Sequence, residues 1–375
     1  MLQNKIYQNF IIEIFKTLLI ILFGLSLIAL TVRAVNFLDL IVENGYNITT
    51  YFKYSFLNIF GVAPKFIPLS FLLALLIFIY RHQDDSEFII LWTSGVKKIH
   101  VVNILLFTSV LVSLLYLLFS TFITPIALNK SRQILSNDNY NSFLPTIRTQ
   151  QFSDSFKGFT FIVEKKQDNK MQNIFLNDKG NNLNNLSSNV SEMDETTITA
   201  ESGILDEKRM FLFNGQIIST KKNKENEIIK FEQLDIDLSN LTTTTIKKPK
   251  IQETSTFKLL SCFFVKETQR SRICNKEFKK ELVPVLNRRI ITSLYIPVIA
   301  LICALLFIKS KKIYLSKISI FIYGFALLLF TELAIRYTGI NDIILIIYIF
   351  FPFLFLILLY FLLLFNFSRE NKIYE

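Results

Sequence analysis

Histidine and cysteine are almost missing from this sequence: two His, His82 and His100, and three Cys, Cys262, Cys274 and Cys303, in 375 residues. No two cysteines form a CxxC pair. A structural zinc site and a histidine-based catalytic dyad are therefore not expected. Cys262 and Cys274 are a possible disulfide if their segment is exported, a question that spacing alone leaves open. No GxxxxGK[ST] phosphate loop occurs, so the chain does not hydrolyse ATP by that route. The first apolar run has no small-residue cleavage site and continues to Arg33, so it is expected to stay in the mature protein.

What is abundant is apolar. With 51% hydrophobic residues and a mean hydropathy of +0.41, the chain is too greasy for an ordinary soluble protein and too long for a bare membrane anchor. Its 38 Phe suit a bulky lipid-facing surface and equally an AT-rich genome. A helix needs roughly 20 apolar residues to cross the hydrocarbon core. Six runs qualify, at about 14–38, 55–80, 101–125, 289–308, 313–337 and 342–366. Between the third and fourth, residues 129–275 turn polar and carry alternating runs such as FTFIVE (159–164), NIFLN (173–177), RMFLFNGQIIST (209–220) and IIKFEQLDIDL (228–238). Period-two alternation with turn clusters between predicts an inserted all-β domain. KGNNLNNLSSNVSE (179–192) reads as a long loop within it, and TTTTIKKPKIQETS (242–255) as its exit linker. The predicted organisation is thus helices one to three over 1–128, a β domain over 129–275, and helices four to six over 276–375.

The net charge of +11 suits nucleic acid or basic flanks beside membrane spans, and position decides for the flanks. With the N-terminus inside, one face carries Lys5, Lys16, Arg81, Lys97, Lys98, Lys309, Lys311, Lys312, Lys317, Arg369 and Lys372. The short connections of the other face hold Arg33, Lys53, Lys65 and Arg336. Both termini are then cytoplasmic, the β domain is outside, and no nucleic-acid partner is needed.

This topology puts RHQDDSEFIILWTSGVKKIH (81–100) inside. Asp84, Asp85 and Ser86 suit a helix N-terminus, where a carboxylate or hydroxyl caps free N–H groups and negative charge meets the dipole. A short helix follows within about 84–95, closed by Gly95 as C-cap, with Trp92 placed to anchor at headgroup level. One reading is an ordinary interfacial helix. The functional reading is a coupling helix: Glu87 offers a charge-assisted bond to an Arg of a soluble motor.

LDLIVENG (38–45), FIPLSFLLALL (66–76), DSEFIILWTSG (85–95) and LNRRI (286–290) resemble the LptF/LptG permeases of the lipopolysaccharide-export ABC transporter, and the first of these looks more like LptF. The resemblance implies six transmembrane helices with a periplasmic β-jellyroll, in the inner membrane of a Gram-negative bacterium. It further implies an LptG-type permease as heterodimer partner, an LptB-type ATPase dimer, an LptC-type single-span protein and an LptA-type jellyroll bridge. Lipopolysaccharide is the implied cargo, and the only nucleotide is ATP used by the partner, with no cofactor on this chain. The family's coupling glutamate falls on Glu87, and the basic residue at the outer end of its first helix on Arg33. Trp92, Thr93 and Ser94 depart from the small residues usual there. The alternatives are a permease of another ABC exporter, for lipoproteins or peptides, and a membrane-anchored periplasmic sensor. A sensor would carry a sizeable inner domain, and the predicted inner loops are short.

Recognition is then the chemistry expected. Arg33, Lys65, Arg288, Arg289 and Arg336 fall near outer span ends, where a guanidinium fork suits phosphate. Snorkelling to headgroups accounts for each of them as well. Glu332 stands four residues before Arg336, so the expectation is a local salt bridge, with a gate as the other reading. Pro64, Pro68, Pro297 and Pro352 are expected to kink their helices.

Overall fold

The computed structural model describes residues 2–38, 41, 47–137, 149–156, 158–167, 169–179, 193–206, 209–221, 226–237, 250–264, 276–308 and 317–374. Most of LDLIVENG, the expected long loop, much of the exit linker, Cys274 and Lys309, Lys311 and Lys312 lie outside the described residues. The chain divides into two units: residues 1–31, 58–129 and 250–375, and residues 32–57 and 130–249.

The helices are α1 (Leu2–Asn36), α2 (Ile48–Asp84), α3 (Glu87–Thr93), α4 (Lys98–Leu118), α5 (Thr124–Asn137), α6 (Thr256–Phe264), α7 (Lys276–Arg289), α8 (Tyr295–Ala304), α9 (Lys317–Tyr337) and α10 (Asp342–Tyr374). Among the described residues six stretches are long and apolar enough to cross a membrane, as the sequence predicts. The second and fourth run longer than their apolar cores alone suggest, because polar turns such as Ile48–Lys53 and Lys280–Asn287 continue the helices beyond the greasy part, while the described fifth span begins at Lys317. A π-helical turn, Phe119–Ile123, carries α4 into α5. Such a bulge frees backbone carbonyls, and Thr256 Oγ1 donates to one of them, Thr121 O, at 2.8 Å.

In the helical unit the fourth span is the central element. From Val298 to Ala304 every side chain of α8 is buried. The 3-10 turn Ile291–Leu294 interrupts the helix between α7 and α8, so Tyr116 OH donates to the loosened Arg288 carbonyl. Thr292 Oγ1 bonds Tyr348 OH at 2.9 Å, and Tyr295 OH donates to Tyr348 O at 2.8 Å. Polar groups inside a membrane bundle are tolerated when paired this way. Gly339 closes the turn between α9 and α10: a Cβ there would stand 1.9 Å from Lys280 O, so only glycine permits this approach.

In the other unit, Tyr51 OH donates to Ala34 O at 2.8 Å, which ties the start of α2 to the end of α1. Six strands follow: β1 (Ser153–Phe156), β2 (Phe159–Gln167), β3 (Lys170–Asp178), β4 (Met193–Asp206), β5 (Arg209–Lys221) and β6 (Asn226–Asp237). They lie in one antiparallel sheet in chain order. The inserted β domain stands as expected. Its described strands form a meander, where a jellyroll leads one to look for two packed sheets.

The sheet nevertheless builds a core from its own residues. Phe159, Phe161, Val163, Ile174, Leu176, Ile198, Leu205, Met210, Leu212 and Ile236 are buried together. A crease explains how. Burial in β3 passes from Met171 to Ile174, and in β5 from Met210 and Leu212 to Ile217, so the alternation slips by one residue within each strand. The pairing skips Asn173, Glu201 and Asn214, which lie opposite one another in register. Asn173 and Asn214 take positive φ, 51° and 52°. Asn tolerates that region better than other side chains. The register runs on unbroken across this line, so no residue is inserted; the left-handed turns at Asn173 and Asn214 reverse the side-chain alternation, and the two halves of one sheet share a core.

Candidate functional site

The connection between the second and third spans is built first from backbone. α2 ends at Asp84, and Asp85 N donates to Arg81 O at 2.9 Å. Ser86 then turns left-handed at φ 58°, and its carbonyl accepts from Ile89 N and Ile90 N to start α3. The expected side-chain cap is corrected: the Ser86 hydroxyl makes no capping bond, because the positive φ lets the carbonyl do the nucleating. Gly95, at φ 90°, closes the helix as expected, its N–H donating to Trp92 O at 3.1 Å while Val96 N reaches Leu91 O.

One face of α3 is locked into the bundle. Phe88 is 3% exposed and meets Phe78, Phe10 and Phe307 edge-on, with ring centroids 6.1, 6.3 and 5.1 Å away. Trp92 is half-buried and packs on Phe88 and Phe307 at 5.8 Å from each, so one side of its ring faces the protein. Lys98 Nζ sits over the Trp92 ring at 5.4 Å and donates to Phe307 O at 3.0 Å. That bond satisfies a carbonyl at the inner end of the fourth span.

The other face is presented outward. Glu87 has a side chain 53% exposed, and Ile89 and Ile90 are 61% and 64% exposed. Exposed isoleucines beside a carboxylate on a rigid two-turn helix make a compact contact face. Asp84 and Asp85 are less available: Asp84 accepts from Lys317 Nζ at 2.8 Å, and Asp85 lies 3.9 Å from Arg81. Behind Glu87, His82 Nε2 stands 3.2 Å from Glu87 Oε2 and 3.6 Å from Glu13 Oε2. Glu13 also pairs with Arg81 at 3.2 Å. Sequence reading missed His82, Glu13, Lys98 and Phe307. The available signal was scarcity, since Glu13 is the single acid of α1 and His82 one of two histidines.

The cations expected at outer span ends divide. Arg289 is 4% exposed and donates to Thr254 O, Thr256 Oγ1 and Gln252 O at 3.0, 2.8 and 2.8 Å. It is spent on buckling residues 250–256 to α7, so as a lipid-facing group it is corrected. Arg288 Nη2 bonds Glu332 Oε2 at 2.7 Å, which corrects the expected Glu332–Arg336 pair: Glu332 reaches across to another span instead of along its own. Arg336 and Lys65 are exposed, and Arg33 is half-buried. Cys262 is disulfide-bonded, and Cys303 is free and buried.

The family model of the lipopolysaccharide export system permease LptF/LptG matches residues 10–365, nearly the whole chain. The chain belongs to this family. No curated protein matches it. As an LptF/LptG permease it is a transporter subunit of the lipopolysaccharide export system and not an enzyme, and its six spans make it a multi-pass inner-membrane protein. In α3 the Phe88 side is fixed inside the bundle while Glu87, Ile89 and Ile90 are exposed.

Proposed function

We propose that this LptF/LptG permease forms, with a second permease of the same family, the membrane path that takes lipopolysaccharide from the inner membrane and hands it to a periplasmic bridge. A cytoplasmic ATPase dimer drives it through Glu87, Ile89 and Ile90, a single-span partner protein completes the complex, and the permease itself carries no cofactor. The observation that carries this reading is the division of α3, with Phe88 buried and Trp92 half-buried against Phe307 while Glu87 and Ile90 project. A helix so anchored transmits force to the spans, and a carboxylate at its start suits an arginine of the motor.

Both termini are cytoplasmic and the β domain is periplasmic. The basic residues near the inner ends support this orientation, as does the disulfide at Cys262, since disulfides persist in oxidising compartments. Among the described strands, β1 and β6 are the edges, and β6 is the longer, with Ile228 and Ile229 exposed. An exposed edge pairs readily with another strand, so β6 is the edge that receives the next β domain. Arg33, Lys65 and Arg336 contact the lipid's phosphates, and Arg288 does so when Glu332 releases it.

The test is a reconstituted transporter carrying Glu87→Ala or Ile90→Asp. The motor should fail to copurify, and transport-coupled ATP hydrolysis should fall at least about tenfold, the scale of losing one charge-assisted contact at an interface. Wild-type hydrolysis and full copurification in both variants would remove the docking role.

A further inference from the structure

His82 is 4% exposed, walled by the rings of Phe10, Phe78 and Phe88, and both of its ring nitrogens are engaged. Nδ1 lies 2.9 Å from Phe78 O, a group that only accepts, so this nitrogen carries a hydrogen. Nε2 faces two carboxylates, Glu87 of the coupling helix and Glu13 of the first span. The ring thus stands between carboxylates that belong to two different elements.

Those elements are otherwise held very differently. The coupling helix is locked by Phe88, Trp92 and Lys98. The first span has the least buried apolar stretch of the six, 6% within the chain, and meets the helical core through Phe10, Ile14 and Leu18. It is also one continuous helix from Leu2 to Asn36, so a tie near its inner end acts on its whole length. Glu13 makes two contacts with the end of α2, to Arg81 at 3.2 Å and to His82 at 3.6 Å, and His82 carries the second on to Glu87 at 3.2 Å.

We infer that Glu13 and His82 are positioning residues that fasten the first span to the coupling helix, so that displacement of Glu87 by the motor moves the first span with it. The inference rests on the docking role proposed for Glu87. The contact of Glu13 with the buried His82 ring is directional, whereas the surrounding Phe contacts let helices slide. Glu13 therefore decides whether motor strokes reach the first span, and α3 stays docked without it.

The experiment uses proteoliposomes holding the complete transporter and lipopolysaccharide, with Glu87→Ala as reference. In Glu13→Ala the motor should still copurify and hydrolyse ATP, while lipopolysaccharide released per ATP falls at least about fivefold, the lower end of typical coupling energies. Spin labels on Leu19→Cys and Thr93→Cys, both exposed positions outside the docking face, supply a second readout. Their separation should stay narrow through the nucleotide cycle in the parent and broaden in Glu13→Ala. If that variant fails to assemble, Glu13→Gln keeps the shape without the charge and should show the same uncoupling. Wild-type lipid release per ATP and an unchanged distance distribution, alongside loss of the motor in Glu87→Ala, overturn the tie alone. A motor that stays docked in Glu87→Ala overturns the docking role first, and the tie with it.

Discussion

The fourth and first spans are comparably apolar by composition, yet 72% of the fourth span's most apolar stretch is buried within the chain and only 6% of the first's. Hydropathy establishes that a helix crosses the bilayer; it says nothing of what the helix touches there. The fourth span is the bundle's scaffold, interrupted once and cross-bonded by tyrosines at the break. The first offers Leu19, Ile20, Phe23 and Ile28 to its surroundings. That difference suits a subunit whose fixed part holds the coupling helix and whose loosely packed part faces lipid or a second permease.

The comparison is broken most severely in the scaffold. Leu301→Ala, at a fully buried position, should destabilise the protein by about 2–5 kcal/mol, the cost of a cavity that neighbours cannot fill. Unfolding in detergent measures it, and a loss below about 1 kcal/mol would mean that the fourth span is not the scaffold. Next comes the buckle beneath it. Arg289→Ala abandons three acceptors and should cost about 2–3 kcal/mol. Arg336→Ala, on an exposed side chain, should leave stability unchanged and lower lipopolysaccharide retention only.

The interhelix pair of Arg288 and Glu332 is partly exposed, so its breakage is milder. Glu332→Ala should cost about 1–2 kcal/mol by the same assay, the scale of polar contacts between membrane helices. The reversed pair Arg288→Glu with Glu332→Arg should regain most of it. The smallest effect belongs to the first span, where Leu19→Ala should change stability by less than about 0.5 kcal/mol. An equal response at Leu19 and Leu301 would erase the contrast between the two spans.

Spans, inserted strands and the coupling helix were legible because each follows from a local pattern. Apolar runs mark the spans, alternation marks β2, β3, β5 and β6, and DDSE with Gly95 marks the short helix. What escaped depends on residues far apart in the chain. Glu332 has a partner by the i,i+4 rule, yet takes Arg288 because the α9 and α7 faces meet there. The packing of Trp92 on Phe307 joins residues more than two hundred positions apart and leaves no local signal. The link from Glu13 through His82 to Glu87 leaves no local pattern at all. The crease in the sheet was half visible: Asn173 and Asn214 stand within strands that otherwise favour branched and aromatic residues, but the slip of burial phase appears only once the register is known.

Position decides whether any of this serves export, and one labelling measurement addresses it directly. Glu87→Cys and Lys230→Cys variants, expressed in cells whose outer membrane has been opened, are treated with a membrane-impermeant maleimide. Lys230→Cys should label at once and Glu87→Cys only after the inner membrane is permeabilised. Labelling of both without permeabilisation would put the docking face and the β domain in one compartment, and the exporter account would be wrong.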